Sequence, residues 1–411
     1  MASCVRITSL AGLAGLLLGM LGCSHAHRAV PFDPPRHQAL ESAEDASTYF
    51  ALSHDGKSVQ AHASVMRQPR EILALSSGGV YGAFTAGVLS GWTATGARPE
   101  FDVVTGVSTG ALIAPFAFLG PEYDCRANRL YVGVKAEDIY RFRSWVTIPF
   151  RDSLAISHPL RKLIESQVTP DLMAKLAAEH HKGRRLYVGT TNLDTKRFVI
   201  WDLGAIACQP CPQSCQLVRD ILLASASVPG MLPPVPIEVE VDGKKYRELH
   251  CDGGATSTIF VPPAVFEAAR SDPTADTPGR LTVIVAGKLY PDPSPVRRRV
   301  LPVLAATAEA LLYSNTRAEL ATLGAKAQGA GLEYTQVQLR QDFVTLEDSL
   351  RFDKTEQTRL LAEGMRVGTE EFTQPGLKAT APDVPTIRTG VKLRRVNEFE
   401  VIGDRCPKPV P

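Results

Sequence analysis

The sequence has little that is typical of nucleic-acid-binding proteins. Its 45 lysines and arginines are nearly balanced by 43 aspartates and glutamates, so the formal net charge is +2 over 411 residues. Aromatic residues make up 7% of the chain, and no long basic run is interleaved with them. These absences argue against a nucleic-acid partner. The apolar fraction of 44% is ample for one large core.

The N-terminus contains a sustained apolar run. Arg6 is followed by residues 10–21, which are rich in leucine, alanine and glycine. This stretch is too short to span a bilayer comfortably, and it fits the central region of a secretory signal. We therefore predict a signal peptide over residues 1–22.

A cysteine follows this run directly. Met20–Leu21–Gly22–Cys23 resembles a bacterial lipobox, although leucine is the usual residue where Met20 stands. The resemblance implies cleavage before Cys23 and acylation of that cysteine, which would hold the protein on a membrane. Ser24 would then favour the outer membrane of the cell envelope. The alternative is a plain signal peptide in which Cys23 has no role.

Export changes what the eight cysteines mean. Cys4 would leave with the signal, Cys23 would be acylated, and an even set remains in an oxidising compartment, where disulfides form. That set is Cys125, Cys208, Cys211, Cys215, Cys251 and Cys406. Sequence cannot choose their pairing. A zinc site at residues 208–215 would need a fourth ligand, so disulfides are favoured and no metal is expected.

Three further segments follow the signal. Residues 23–67 contain scattered prolines and no sustained apolar period, which predicts a tether. Residues 68–373 form the predicted catalytic domain, without an internal break. Residues 374–411 are a weakly patterned tail with a candidate hairpin at 386–402.

The predicted domain alternates strands with helices. Strands are predicted at 72–75, 101–105, 186–191, 197–202, 281–286 and 332–339. Helices are predicted at 82–94, 111–119, 158–167, 217–226, 300–327 and 354–372. Strand, tight turn and helix in repetition predict an α/β fold with a mostly parallel sheet covered on both faces.

The second strand runs into a G-x-S-x-G sequence, Gly106–Val107–Ser108–Thr109–Gly110. This motif places a nucleophilic serine on a sharp strand-to-helix turn, and Gly106 and Gly110 avoid clashes there. The N-terminus of the following helix favours negative charge near Ser108. We therefore predict that Ser108 is a nucleophile.

The first strand ends in a glycine turn, Gly78–Gly79–Val80–Tyr81–Gly82. It is not a G-x-G-x-x-G loop, and no Lys-Ser/Thr pair follows, so neither nucleotide-binding motif fits. A simple strand-to-helix turn is one interpretation. The other is an oxyanion hole, in which adjacent N–H groups point at one position.

The base of a serine hydrolase is the remaining question. The ordinary order is serine, acid and then histidine, but no histidine follows His250 among the nine in the chain. Asp252–Gly253–Gly254 offers a carboxylate on a flexible glycine turn instead. Taken alone, this triplet is also typical of a structural β-turn.

These three motifs, in this order, resemble the patatin-like phospholipase family. The resemblance runs from about Gln68 to Phe372 and includes Ala224–Ser225–Ala226–Ser227–Val228–Pro229–Gly230. It implies a three-layer α/β/α fold with Ser108 as nucleophile, Asp252 as base and no histidine or cofactor. The N–H groups of Gly78, Gly79 and Val80 would form the oxyanion hole, and Gly253 and Gly254 complete the Asp-Gly-Gly motif.

The loop departs from the family at two positions. Glycine or aspartate is common where this chain has Ser77, and a basic residue is common where it has Tyr81. Binding of an anionic substrate through position 81 is therefore in doubt. The resemblance implies a lipid or acyl-ester substrate and hydrolysis of the phospholipase A, lysophospholipase or lipase type. Two alternatives stay open: a catalytically weak envelope lipoprotein that binds ligands, and a carboxylesterase for non-lipid esters. Arg297–Arg298–Arg299 could contact lipid headgroups or simply begin a solvated helix.

Overall fold

A computed structural model describes residues 66–209, 211–241, 244–270, 278–345 and 352–373. The predicted signal peptide, Cys23, almost all of the tether, the tail with its candidate hairpin and Cys406 lie outside these residues.

An eight-stranded sheet forms the centre of the domain. Its order is β10-β9-β1-β2-β5-β8-β7, and β6 pairs with β5. The strands β10, β9, β1, β2 and β5 run parallel to one another, whereas β6, β7 and β8 pair antiparallel. The strands are β1 Glu71–Leu75, β2 Val103–Val107, β5 Arg185–Asn192, β6 Arg197–Asp202, β7 Val235–Val241, β8 Lys244–Asp252, β9 Arg280–Val285 and β10 Glu333–Gln338; a separate small hairpin pairs β3 Arg141–Phe142 with β4 Ala155–Ile156.

Helices connect the strands. They are α1 Gly82–Ala94, α2 Thr109–Leu119, α3 Asp124–Val132, α4 Ala136–Ile139, α5 His158–Gln167, α6 Pro170–His181, α7 Leu203–Ala207, α8 Gln213–Ser225, α9 Pro263–Ala269, α10 Val300–Gly329 and α11 Lys354–Thr373. Short 3-10 turns at Gly79–Tyr81 and Gly253–Ala255 follow β1 and β8.

Alternating residues of β1 face two different hydrophobic cores. Leu73 and Leu75 pack with α1, α2, α5, α6 and α8 on one side of the sheet. Ile72 and Ala74 pack with α9 and the C-terminal half of α10 on the other. Because successive side chains of a strand point to opposite faces, helices cover both faces of the sheet. The predicted three-layer α/β/α fold is confirmed.

The closing helix α11 lies directly against α1. A Cβ added to Gly364 would come within 2.2 Å of the Phe84 carbonyl oxygen, so the two helix backbones approach as closely as glycine allows. Trp92 and Phe372 stack with ring centroids 3.6 Å apart. The last helix is therefore part of the domain core. No helix among the described residues has the length and apolar character needed to cross a membrane.

Candidate active site

Ser108 occupies a strained turn between β2 and α2. Its backbone has φ 54° and ψ −119°, a left-handed conformation that L-residues rarely adopt. Two glycines make the turn sterically feasible. A Cβ on Gly106 would lie 2.5 Å from the Gly110 carbonyl oxygen, and a Cβ on Gly110 would lie 2.5 Å from the Leu75 carbonyl oxygen. The G-x-S-x-G sequence thus folds as a nucleophile elbow.

A second serine supports the elbow from below. The Ser108 N–H donates to Ser225 Oγ at 2.9 Å, and the Ser225 hydroxyl donates to the Gly189 carbonyl at 2.7 Å. All three groups are buried. Sequence reasoning noted Ser225 only as part of the segment before Asp252 and gave it no role. Ser225 fixes the elbow backbone to β5.

Strand β5 sets the distance between Ser108 and Asp252. Val107, at the end of β2, lies opposite Gly189, while Asp252, at the end of β8, lies opposite Thr190. Strand β6 pairs with this part of β5 along one edge of β5. Strands β2 and β8 therefore both pair with the opposite edge of β5, where they meet end to end. The two chain ends therefore converge at neighbouring positions on β5.

The side chains meet as this register requires. Ser108 Oγ donates a hydrogen bond to Asp252 Oδ2 at 2.6 Å, and the Gly254 N–H donates to Asp252 Oδ1 at 2.7 Å. Ser108 and Asp252 are only 7% and 5% exposed. Both carboxylate oxygens are engaged, so the carboxylate is held in one orientation.

Burial governs the proton affinity of this carboxylate. It raises the pKa of Asp252 from its usual value near 4 to about 7, while the hydrogen bonds from Ser108 and Gly254 act in the lowering direction. A base with a pKa near neutral is half-ionised at neutral pH and binds a proton far better than an ordinary aspartate. Asp252 is therefore chemically able to accept the Ser108 proton.

The glycine loop lies beside the nucleophile. It forms a helical turn at Gly79–Tyr81 that leads directly into α1, and Gly79 has φ 56°. The first N–H groups of a helical segment have no carbonyl one turn earlier to bond, so those of Gly79 and Val80 are suited to an anion. Gly78 has no room for a side chain, since a Cβ would lie 2.2 Å from the Ala286 carbonyl oxygen.

The loop and the nucleophile both border one large pocket. It encloses about 950 Å³, including its open mouth. Ser108 and Gly79 stand on its wall, and nearly all the remaining lining is apolar. The lining residues beyond these two are Thr109, Leu112, Pro115, Phe116, Leu130, Tyr131, Ile139, Tyr140, Leu160, Leu163, Ile164, Gln167, Val168, Leu172, Leu222, Ala226, Val228, Met231, Leu232 and Phe352. An alkyl chain is the chemical group that such a wall accommodates.

Three histidines that follow Ser108 in the chain contact groups other than Ser108. His250, two residues before Asp252, is hydrogen-bonded to Thr190 and Glu248. His181 contacts the Ala177 carbonyl at 2.7 Å. His180 lies 3.6 Å from Asp202. Thus, the carboxylate of Asp252 is the group that contacts the nucleophile.

Other residues noted in the sequence lie outside the site. Cys211 and Cys215 form a disulfide, while Cys125, Cys208 and Cys251 are free. The described residues contain no cluster of three or more potential metal ligands. Tyr81 has a neutral phenol where a basic residue is common, so this position supplies no cation to the loop.

A comparison with known protein families finds a match that spans the site. The sequence model described as patatin-like phospholipase matches residues 73–265. The chain contains a patatin-like phospholipase domain. The matched segment of this patatin-like domain begins in β1, ends in α9 and includes both Ser108 and Asp252.

Two broader comparisons add little detail. No curated protein matches the chain. Among solved structures, the chain is similar to VipD from Legionella pneumophila, with 12% sequence identity and a TM-score of 0.37 over 74% of this chain and 67% of VipD.

Proposed function

We propose that this protein is a serine hydrolase that cleaves acyl esters of lipids through a Ser108–Asp252 dyad. The observation that carries the proposal is the 2.6 Å hydrogen bond from Ser108 to Asp252 at the wall of an apolar pocket. The patatin-like family consists generally of lipid acyl hydrolases, and the pocket suits an acyl chain of a phospholipid, lysophospholipid or triglyceride.

The arrangement supports a two-step mechanism. Ser108 Oγ attacks the ester carbonyl carbon while its proton passes to Asp252, and the carbonyl oxygen becomes an oxyanion. The N–H groups of the Gly78–Val80 loop stabilise this oxyanion, and one such donor contributes on the order of 3 kcal/mol. The leaving alcohol takes the proton from Asp252. A water molecule then attacks the acyl carbon while its proton passes to Asp252, and the departing Ser108 oxygen takes that proton as the fatty acid is released.

We place this activity in the cell envelope. The signal-like segment at residues 1–22 and Cys23 support an exported protein anchored by acyl chains to a bacterial membrane, with Ser24 favouring the outer membrane. Labelling cells with radioactive palmitate tests the anchor. Label in the parent protein and none in Cys23→Ala is the expected result, and equal label in both would refute it.

The substrate is tested with matched esters and a narrowed pocket. Leu163 of α5 lines the pocket and is half-buried, whereas its neighbour Lys162 is exposed. We expect Leu163→Trp to lower kcat/KM for long-chain phospholipids and lysophospholipids by roughly 10- to 100-fold, because the added ring fills space that a long acyl chain needs. The kcat/KM for short-chain esters should fall by less than about three-fold.

Lys162→Trp is the control, because it adds the same ring to the solvent side of α5. It should leave both substrate classes unchanged. If Leu163→Trp reduced short- and long-chain hydrolysis equally, the pocket would not be the acyl site. If the protein hydrolysed only water-soluble esters, it would be a non-lipid carboxylesterase. If it bound lipids without hydrolysing them, it would be a binding lipoprotein.

The rate should also follow the ionisation of Asp252. Only the ionised carboxylate accepts the serine proton, and its pKa is raised to about 7. We expect kcat/KM for a soluble ester to rise with pH through about pH 7 and then level off, with a value at pH 5 roughly 100-fold below the plateau. A profile that is flat from pH 5 to 8 would contradict a neutral-range base.

A further inference from the structure

The helix α10 is longer than the sheet it covers. Its 30 residues span about 45 Å, whereas the six residues of β9 span about 20 Å. Among its residues 302–329, the first buried residue is Leu320, twenty positions after the helix begins. The N-terminal part of the helix therefore extends beyond the core, and its first 13 residues span about 20 Å.

This N-terminal part of α10 lies at the same end of the sheet as Ser108, where the parallel strands finish. α10 connects the parallel strands β9 and β10, so it begins at the carboxyl ends of the strands and runs back to their amino ends. Ser108 follows the carboxyl end of β2. Glu319 of α10 accepts the Thr258 N–H, and the Thr258 carbonyl accepts the Ser77 N–H beside the glycine loop.

The outer face of the extension is apolar. Val300, Val303, Leu304 and Leu311 are between 47% and 74% exposed, and their spacing places them on one side of the helix. The half-buried residues Pro302, Ala306 and Tyr313 follow the same spacing on the opposite side. The more hydrophobic side therefore faces away from the domain, the reverse of an ordinary surface helix. We call residues 300–312 the helix extension.

A second apolar projection adjoins the pocket. In the segment between Arg141 and Leu154, here called the aromatic loop, Phe142, Trp145 and Phe150 are 69%, 81% and 62% exposed. Tyr140, which precedes it, lines the pocket, and Leu154 bonds the Gly230 carbonyl next to the pocket residue Met231.

Both projections carry arginines. The aromatic loop contains three, and three more stand immediately before the helix extension, against two acidic residues in the same segments. The arginines are Arg141, Arg143, Arg151, Arg297, Arg298 and Arg299, and the acidic residues are Asp152 and Glu309. In a symmetric dimer, this positively charged surface would face the same surface of a second copy and repel it. An anionic lipid surface is instead complementary to its charge.

We propose that the helix extension and the aromatic loop dock the protein on an anionic phospholipid surface, with the pocket mouth at that surface. The arginines bind lipid phosphates, and the apolar side chains enter the region between headgroups and acyl chains. A fatty acyl ester can then reach Ser108 without crossing water. This inference rests on the proposed lipid substrate.

Trp145 provides a built-in reporter. The other two tryptophans, Trp92 and Trp201, are at most 1% exposed. The experiment uses the full chain with Cys23→Ala, so that no acyl chain is attached there. Vesicles of phosphatidylglycerol with brominated acyl chains should quench the fluorescence of Trp145, and Trp145→Phe should remove this quenching. Phosphatidylcholine vesicles should bind at least about five-fold more weakly.

The helix extension is tested with one aspartate at two positions of α10. We expect Leu304→Asp to weaken vesicle affinity at least about ten-fold. Ala325→Asp, on an exposed position about 31 Å further along the helix, should stay within two-fold of the parent. Circular dichroism should show that both variants are folded, and both should hydrolyse a soluble short-chain ester at the parent rate.

Several results would overturn the proposal. The proposal would be refuted if brominated lipid did not quench the fluorescence of Trp145. It would also be refuted if Leu304→Asp and Ala325→Asp bound vesicles with equal affinity. A parent dimer that Leu304→Asp converts to a monomer, with vesicle affinity unchanged, would show a protein interface instead. Vesicle binding without hydrolysis of any ester would refute the proposed function and leave docking supported, whereas ester hydrolysis without vesicle binding would refute docking alone.

Discussion

Ser108→Ala is expected to abolish ester hydrolysis, with kcat lowered at least about 10⁴-fold. In the proposed mechanism the Ser108 hydroxyl oxygen forms the acyl-enzyme, so the variant would keep only substrate binding and the oxyanion donors. The backbone should be unaffected, because alanine meets the same φ of 54° as serine does. Release of fatty acid from phospholipid, followed by mass spectrometry, measures the loss.

A fluorophosphonate probe gives an independent measure of the same residue. We expect the probe to label Ser108 in the parent protein and to leave Ser108→Ala unlabelled. Ser90→Ala is the matched control, because Ser90 of α1 bonds Asn128 and has no base beside it. Its variant should label and hydrolyse like the parent. Absence of labelling in the folded parent, or labelling that survives in Ser108→Ala, would refute the nucleophile.

Asp252→Asn is expected to lower kcat by about 10³- to 10⁴-fold. Asparagine has the shape of aspartate and can still accept the Gly254 N–H, but it cannot take the Ser108 proton. Asp202→Asn is the control. The Asp202 side chain is also largely shielded from solvent, which raises its pKa to about 6, and it caps α7 through the Ala205 N–H. It lies away from Ser108, so its variant should retain near-parent activity.

The same variant should change how stability depends on pH. The pKa of Asp252 is raised to about 7 in the folded protein from about 3.8 when unfolded. The folded state therefore binds this proton more tightly than the unfolded state does. The resulting contribution to the free energy of unfolding is complete below about pH 4 and is lost as the pH rises through 7. Between pH 5 and pH 8 this linkage amounts to about 2 to 3 kcal/mol.

Denaturant unfolding of parent and variant at both pH values measures this linkage. The free energy of unfolding of Asp252→Asn should fall less than that of the parent between pH 5 and pH 8. The inactive variant should thus be relatively more stable at pH 8, as is common when an active site holds a buried charge. Near-parent activity in Asp252→Asn would refute the dyad, and an equal pH dependence of stability in both proteins would refute the raised pKa.

The parallel half of the sheet was predictable from sequence. Runs such as Ile72–Leu75 and residues 281–286 are continuously apolar because both of their faces are buried, and glycine turns or helices follow them. Six predicted strands and six predicted helices are present with small shifts at their ends. Strands β7 and β8 were missed, because charged and polar residues such as Glu238, Arg247 and Glu248 interrupt their pattern.

The motifs that meet at the candidate site are visible in the sequence, but their geometry is not. The Gly-Gly loop, the G-x-S-x-G motif and the Asp-Gly-Gly motif each identify candidate residues. None of these motifs gives the distance between those residues in the folded chain. The contact of Ser108 with Asp252 depends on β8, which was not predicted, and the support from Ser225 depends on the position of α8 against β5. The exposed side of α10 also escaped prediction, since sequence periodicity does not tell which side of a helix meets the core.

The end-to-end meeting of β2 and β8 on β5 has a consequence for how the fold can vary. Ser108 and Asp252 are separated by 144 positions along the chain, yet their spacing is set by the adjacent partners Gly189 and Thr190. Insertions or deletions in the intervening loops leave those partners in place. The pocket walls built from that intervening chain can therefore be lengthened, shortened or replaced while the reacting atoms keep their positions.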